Sequence, residues 1–170
     1  MSTPPPPAVP SPEVIDIERA LSRITYLSTR ARRHDRLMAL AGVPLDRAAV
    51  ALLRQIADSE PLRPGELAAR LGVEASHITR TVQQLQKSGY VTRVPDPDDR
   101  RAQRIELTDA GGEAIAKVRE AGVRGMQMAL SQWSPDELRQ LATLFHRMVD
   151  DFLAYGDEEG EPQAAPGGSA

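Results

Sequence analysis

The side chains of this sequence that could do chemistry are hydrogen-bond donors, acceptors and cations gathered between residues 62 and 108. Residues 75–87 carry an apolar series at helical spacing, formed by Ala75, Ile78, Val82 and Leu85. At about 100° per residue, the opposite side of that helix is polar and cationic. It consists of Ser76, His77, Arg80, Gln83, Gln84 and Lys87, and Thr79 is a further candidate contact to nucleic acid. Such groups suit the base edges and phosphates of a nucleic acid, and the alternative is an ordinary solvated helix face.

Within this polar face the expected base contacts are Ser76, His77, Arg80 and Gln83. Arg80 could bind a guanine through two parallel hydrogen bonds or hold a phosphate, and the sequence leaves both roles open.

A second cationic group lies at the tip of a predicted β-hairpin, in the run Asp98-Asp99-Arg100-Arg101. A helix in the major groove and a hairpin in the adjacent minor groove would occupy two grooves of one duplex. We expect Arg101 to enter the minor groove, with Asp99 orienting it by a charge-assisted hydrogen bond. The expected phosphate contacts are Arg100, Arg93 and Lys87. A polar hairpin turn without a ligand is the alternative.

Turn and cap signals predict the elements that position these groups. Pro64 suits the first position of a helix that ends at Gly72, and Gly89 ends the second helix. Thr108 is expected to cap the helix that follows the hairpin. The two hairpin strands are predicted over residues 90–94 and 102–107.

On these residues the sequence resembles the MarR family. The matching stretches are Gly65-Glu66-Leu67-Ala68…Leu71-Gly72-Val73, Thr79-Arg80…Val82…Leu85…Gly89-Tyr90-Val91…Arg93, and Asp96-Pro97-Asp98-Asp99-Arg100-Arg101…Leu107-Thr108…Gly111. The resemblance implies a dimeric winged-helix transcriptional regulator of bacteria or archaea, with Asp99 and Arg101 at the family's Asp-x-Arg wing positions. The chain departs from the family at Arg63 and Glu74, where Ser or Thr usually caps each helix. Capping is therefore expected to be weaker by ~1 kcal/mol per helix.

The flanking sequence is predicted to be mostly helical. A first helix is expected from about Glu13 to Ala41, and Asp46 should cap a second. A long helix is expected from Asp109 to about Leu130, with a bend at Gly122 and Gly125. Ser134-Pro135-Asp136-Glu137 predicts the start of a last helix. That helix has an apolar seam with spacing 3, 4, 3, 4, formed by Leu138, Leu141, Phe145, Met148 and Phe152.

The expected fold is mainly α with a small β-hairpin wing (α+β), a winged helix-turn-helix with N- and C-terminal dimerisation helices. A winged-helix core cannot cover the apolar surface of those outer helices, so we expect a homodimer. Stacking within one monomer is the alternative. The predicted segments are a disordered Pro-rich arm (1–12), an N-terminal dimerisation helix (13–45), the DNA-binding lobe (46–108), C-terminal dimerisation helices (109–155) and a disordered acidic, Gly- and Pro-rich tail (156–170).

The resemblance also implies a small anionic or phenolic effector in the cleft between the dimer helices and the DNA-binding lobe. An arginine could hold a carboxylate there, and a tyrosine or histidine a phenol. The candidate residues are Tyr26, Arg30, Arg33, His34, Arg47 and Met126. The alternative is that they are ordinary surface and interface residues.

Composition limits the other function classes. The chain has 170 residues, 41% of them hydrophobic, and no cysteine, which excludes disulfides and thiolate metal sites. No apolar run or leader suggests a membrane span or signal peptide, and a cytoplasmic location is expected. Catalytic motifs, a cofactor loop and clustered metal ligands are absent from the sequence, so no enzyme activity, cofactor or metal is expected.

Charge is distributed unevenly along the chain. The net charge is −3, yet residues 62–104 hold eight Lys or Arg against five Asp or Glu. A local basic face can bind phosphates on an acidic chain, because counterion release depends on local contacts. The favoured hypothesis is a ligand-responsive repressor that binds an inverted repeat of double-stranded DNA. The alternatives are a winged-helix protein-interaction module without a DNA target, and a different winged-helix family.

Overall fold

The computed structural model describes residues 10–28, 30–99 and 101–159. In these residues helices and one antiparallel hairpin follow each other in the predicted order. They are α1 (Pro12–Ser28), α2 (Ala31–Ala41), α3 (Arg47–Ala57), α4 (Pro64–Leu71), α5 (Ala75–Lys87), β1 (Val91–Pro95), β2 (Gln103–Leu107), α6 (Asp109–Ala129) and α7 (Pro135–Glu159). Within the same residues, no helix is both long enough and apolar enough to cross a membrane.

The chain forms two compact units, Met1–Gly125 and Met126–Ala170. The core of the first unit is built from α2, α3, α4, α5, the hairpin and α6, with Val43, Leu45 and Leu62 from the connecting segments. Its most deeply buried side chains are Leu52, Leu53, Leu67, Val82, Leu85, Ile105 and Val118. Burying each of these side chains stabilises the fold by roughly 1.5–3 kcal/mol relative to leaving it exposed to water. Since α5 contributes Ile78, Val82 and Leu85 to this core, its opposite face is held towards solvent.

The hairpin pairs Val91 with Leu107 and Pro95 with Gln103 at its two ends. The segment before α4 joins it, because the N–H of Ile105 donates to the carbonyl of Leu62 at 2.8 Å. This bridge ties the hairpin to the start of the helix-turn-helix.

The helix boundaries follow the predicted signals. Asp46 caps α3 by accepting the N–H of Ala49 at 2.7 Å. Gly72 ends α4 in the left-handed region at φ 62°, which glycine adopts without strain. The side chains of Arg63 and Glu74 make no cap hydrogen bond, as expected. At α4, Glu66 still accepts the backbone N–H of Arg63 at 2.7 Å.

The prediction of one N-terminal helix from Glu13 to Ala41 is wrong. Helix α1 ends at Ser28, and Arg30 has an extended backbone (φ −68°, ψ 126°) before α2 begins. Serine and threonine are weaker helix formers than alanine or leucine, so the sequence at positions 28 and 29 is a weak point of a long helix. Thr29 itself lies outside the described residues.

Two smaller expectations also differ from the structure. Ala75 is exposed, since it is the first residue of α5 and lies beyond the core. Helix α7 continues to Glu159, past residue 156 where a disordered tail was expected. Glutamate is a good helix former, and one glycine costs only about 1 kcal/mol. Residues 1–9 of the predicted arm and 160–170 of the predicted tail lie outside the described residues.

The helices predicted to dimerise expose apolar side chains in the single chain. In α1, Val14 is 56% exposed and Ile24 is 51% exposed. In the second unit, Ser134 and Glu137 form the predicted capping box at the start of α7. In the described chain the seam residues of α7 are exposed except for Met148, which is half-buried, and Phe152 is 58% exposed. Such surface is typical of helices that are covered by another chain.

Candidate nucleic-acid interface

The polar face of α5 is exposed along its length. Ser76, His77, Thr79, Arg80, Gln83 and Lys87 are all exposed. Thr79 donates its hydroxyl to the carbonyl of Ala75 at 2.9 Å, so that hydroxyl is already bound to its own helix. In the part of the chain that the structure describes, Arg80 and Lys87 form no ion pair. Their charges are therefore available to a polyanion.

The hairpin is attached to the end of α5 by a polar contact. The Nε of Arg93 in β1 donates to Oε1 of Gln86 in α5 at 3.4 Å. Arg93 is half-buried and Lys87 is exposed, and both lie where the helix meets the hairpin. This places two of the predicted phosphate contacts at the junction of the two elements.

At the tip of the wing, Asp99 is bonded to the backbone of Arg101. Its Oδ1 accepts the Arg101 N–H at 2.9 Å, so the carboxylate fixes the turn rather than the guanidinium. Arg101 is exposed. The predicted contact Arg100 lies outside the described residues.

The base of the wing is organised by Asp96, one of several turn-forming residues in the loop 95–101. Asp96 is 2% exposed, the only charged residue in the core of the described chain. Its Oδ2 accepts the Nε of Arg63 and the Nε of Arg104, each at 2.7 Å. Its Oδ1 accepts the backbone N–H groups of Asp98 and Asp99, at 2.9 and 3.1 Å. One carboxylate therefore joins the start of α4, strand β2 and the wing loop; we call Arg63, Asp96 and Arg104 the wing-base cluster.

The electrostatics of this cluster match its geometry. The guanidiniums of Arg63 and Arg104 hold the pKa of Asp96 far below its usual range, and the two backbone N–H groups act in the same direction. Asp96 in turn raises the pKa of both arginines. The cluster is therefore fully ionised at neutral pH, with two cations on one anion.

Two signals in the sequence could have revealed this cluster. Arg63 replaces the usual capping residue, which indicates that another role is served at that position. Arg104 lies next to Ile105 in β2, so alternation places it on the other face of the hairpin from the core. Neither signal identifies Asp96 as the shared partner, because the contact between Arg63 and Asp96 spans 33 residues of sequence.

The predicted effector residues do not form one group. His34 and Arg47 line a pocket of about 310 Å³ between α2 and α3, together with Arg33, Leu37, Val50, Ala51 and Arg54. The Nε2 of His34 lies 2.8 Å from the carbonyl oxygen of Leu45, so this ring is held by the backbone.

In the first unit, Tyr26 and Arg30 are not among the residues that line this pocket. Tyr26 and Arg30 contact each other, with the guanidinium carbon 4.9 Å from the ring centroid and Nη2 3.2 Å from the phenol oxygen. Met126 is exposed at the start of the second unit. Among the described side chains, no three His, Asp or Glu residues converge on a possible metal position.

The sequence is similar to known regulators over its central part. The sequence model of a protein family, described as "MarR family", matches residues 45–102 of this chain. The uncharacterised HTH-type transcriptional regulator YpoP of Bacillus subtilis (strain 168) is 30% identical over 104 residues, covering 61% of this chain and 74% of that protein. The HTH-type transcriptional regulator BilQ of Clostridioides difficile (strain CD3) is 26% identical over 94 residues, covering 55% of this chain. The match spans 63% of the length of BilQ, less than two thirds.

Solved structures resemble the fold over most of the chain. A MarR family protein from Bacillus stearothermophilus has a TM-score of 0.75 at 21% identity, covering 86% of this chain and 99% of that one. The transcriptional regulator Tm0710 from Thermotoga maritima has a TM-score of 0.63 at 29% identity, covering 84% of this chain and 97% of that one. The winged helix-turn-helix with outer helices is therefore the shared architecture.

Proposed function

Because this chain belongs to the MarR family, we propose that it is a homodimeric transcriptional regulator that binds double-stranded DNA sequence-specifically. The family is one of transcriptional regulators and not of enzymes. The observation that carries the proposal is the exposed cationic face of α5, fixed beside a hairpin with Arg101 at its tip. A DNA target would place the protein in the cytoplasm.

The dimer is supported by the outer helices. Apolar side chains of α1 and α7 are exposed in the single chain, and a second copy would cover them. A two-fold dimer presents its two recognition helices roughly 34 Å apart, about one turn of DNA. The target would then be an inverted repeat, and binding in a promoter would exclude polymerase and repress transcription.

The proposed contacts divide into three roles. Ser76, His77, Arg80 and Gln83 would read bases in the major groove from α5, with Thr79 beside them. Arg101 would enter the minor groove, where Asp99 fixes the turn that carries it. The phosphate contacts would be Lys87, Arg93 and Arg100.

Alanine substitutions at Arg80 and Arg101 test the two groove assignments. Each change should weaken binding to a selected duplex by about tenfold to a hundredfold, because a guanidinium contact to a base or a narrow groove is lost. Fluorescence anisotropy with purified protein and labelled duplex measures this. Lys117→Ala is the matched control, because Lys117 is an exposed cation of α6 paired with Glu113. The groove assignments are wrong if Arg80→Ala and Arg101→Ala bind like Lys117→Ala, and a protein-interaction role then becomes the better account.

We also propose that a small anionic or phenolic effector relieves repression. The pocket between α2 and α3 supports this, because its lining combines Arg33, Arg47 and Arg54 with the apolar Leu37, Val50 and Ala51. In the described chain these three arginines have no ion pair. Cations together with apolar side chains suit an aromatic carboxylate.

Benzoate is a suitable probe for this pocket. Titration into isotope-labelled protein should shift backbone amide resonances of α2 and α3, and Arg47→Ala should weaken that binding about tenfold. Arg139→Ala, which removes an exposed cation of α7, is the control. Amide shifts confined to other elements, or equal affinity in Arg47→Ala and Arg139→Ala, would contradict this pocket assignment.

A further inference from the structure

A groove at the base of the wing collects three arginines. It has a volume of about 400 Å³ and is lined by Arg63, Pro64, Arg93, Arg101, Ala102 and Gln103. Among the described residues the lining includes no acid, although the carboxylates of Asp96, Asp99 and Glu66 lie close enough to Arg63 to raise its pKa. The three guanidiniums of the lining can donate to an anion in the groove, and the charge of that anion would lower their mutual repulsion.

Arg63 is held in this groove by one edge of its guanidinium. Its Nε donates to Oδ2 of the buried Asp96 at 2.7 Å, while its side chain remains 41% exposed. Both oxygens of Asp96 are already engaged, since they also accept Arg104 and two backbone N–H groups. In the described chain no carboxylate binds the terminal nitrogens of Arg63, and these can donate to an anion. Fixing the guanidinium beforehand lowers the entropy lost when that anion binds.

The groove is continuous with both proposed DNA-contacting elements. Arg93 contacts Gln86 of α5 on one side, and Arg101 belongs to the wing tip on the other. A DNA strand that passes from the major groove at α5 to the minor groove at the wing would carry its phosphates past this position.

We propose that Arg63, held by Asp96, binds a backbone phosphate of the DNA between the segments contacted by α5 and by the wing. This inference rests on the proposed DNA-binding function. It also gives a role to a cation at the N-cap of α4, a position where Ser, Thr, Asp or Asn is usually preferred because its side chain accepts a backbone hydrogen bond. In this account Arg104 is a positioning residue, because it shares Asp96 and does not line the groove.

The salt dependence of binding distinguishes a phosphate contact from a purely structural role. A duplex selected from a random library would be titrated by fluorescence anisotropy between about 50 and 200 mM salt. Arg63→Gln should reduce the slope of log K against log[salt] by about 0.9 per site and weaken binding about tenfold. Arg104→Gln also breaks a contact to Asp96, yet it should leave the slope unchanged.

A second variant covers the case in which Arg63→Gln does not fold. Gln103 is an exposed groove residue, and Gln103→Glu adds a negative charge there while leaving Arg63 and Asp96 intact. It should weaken binding about tenfold at low salt, whereas Gln103→Ala should bind normally. If Arg63→Gln keeps the wild-type slope of log K against log[salt], or if Gln103→Glu binds DNA normally, the proposed phosphate contact is wrong but the proposed DNA-binding function still stands. Failure of the wild-type protein to bind any duplex would overturn the proposed function itself.

Discussion

Gly111→Ala is expected to lower the free energy of unfolding by about 3 kcal/mol. Gly111 is buried near the start of α6, where a Cβ would overlap the carbonyl oxygen of Tyr90 and lie 3.0 Å from its carbonyl carbon. That carbonyl cannot move freely, because it accepts the N–H of Thr108 at 3.1 Å. Thr108 in turn donates its hydroxyl to the carbonyl of Gly89 at 2.6 Å and accepts the N–H of Gly111. Alanine would therefore push apart the end of α5, the hairpin and α6.

The matched control for this substitution is the next residue. Gly112→Ala places its Cβ in open space on the same helix, and the gain in helix propensity should leave stability unchanged or raise it by up to ~1 kcal/mol. Urea unfolding followed by circular dichroism measures both variants. Equal stability of Gly111→Ala and Gly112→Ala would show that the close approach at Tyr90 does not constrain the fold.

Asp96→Asn is expected to have the second large effect, a fall of several degrees in the thermal midpoint and a loosened wing. The side chain keeps its size but loses its charge, so Arg63 and Arg104 lose their shared anion. The amide nitrogen of asparagine would also face two Nε–H donors. Breaking a buried ion pair from one side is costly because the remaining charges stay partly desolvated. Hydrogen exchange at the amides of Asp98 and Asp99, which now donate to Asp96, should become faster.

Asp98→Asn is the control with the same change of charge. The Asp98 side chain is exposed and forms one ion pair, with Arg104 at 3.3 Å. Loss of this exposed ion pair should change the thermal midpoint very little. If Asp96→Asn and Asp98→Asn have the same thermal midpoint, the wing-base cluster does not hold the hairpin.

The difference in stability between the wild-type protein and Asp96→Asn should depend on pH. The pKa of Asp96 is lowered in the folded state, whereas an unfolded aspartate titrates near pH ~3.9. Asp96 therefore contributes stability above that pH, and the contribution is lost as the pH falls below it towards the folded-state pKa. The difference in thermal midpoint between wild type and Asp96→Asn should be largest near pH 7 and should narrow below about pH 4. If the difference in thermal midpoint stays constant down to pH 3, the ionised Asp96 carboxylate does not stabilise the fold in this way.

Local signals predicted most of the helix-turn-helix and wing. Asp46, Gly72, Gly89 and Thr108 mark the element ends found in the structure, because caps and left-handed turns depend on neighbouring residues. The apolar series of α5 predicted its buried face correctly from Ile78 onward. Sequence periodicity therefore sufficed wherever the deciding contacts lie within a few residues.

The errors and omissions have a different physical origin. The break between α1 and α2 lies inside a long amphipathic pattern, which obscures it because serine and threonine lower helix propensity only slightly. Asp96 reads as one turn former among several in the loop 95–101, and its burial follows from two arginines that only the tertiary fold brings together. The pocket between α2 and α3 likewise depends on how two helices pack, so Tyr26 and Arg30 could not be separated from His34 and Arg47 by sequence spacing.

Binding of the wild-type protein to DNA decides whether the chain is a sequence-specific regulator. The purified full chain would be titrated into a duplex selected from a random library by fluorescence anisotropy, across a salt series, with unselected random DNA of the same length as control. We expect tight binding that weakens steeply with salt and is at least a hundredfold to a thousandfold stronger than for random DNA. Binding to a duplex selected from a random library that is no stronger than to random DNA would contradict it.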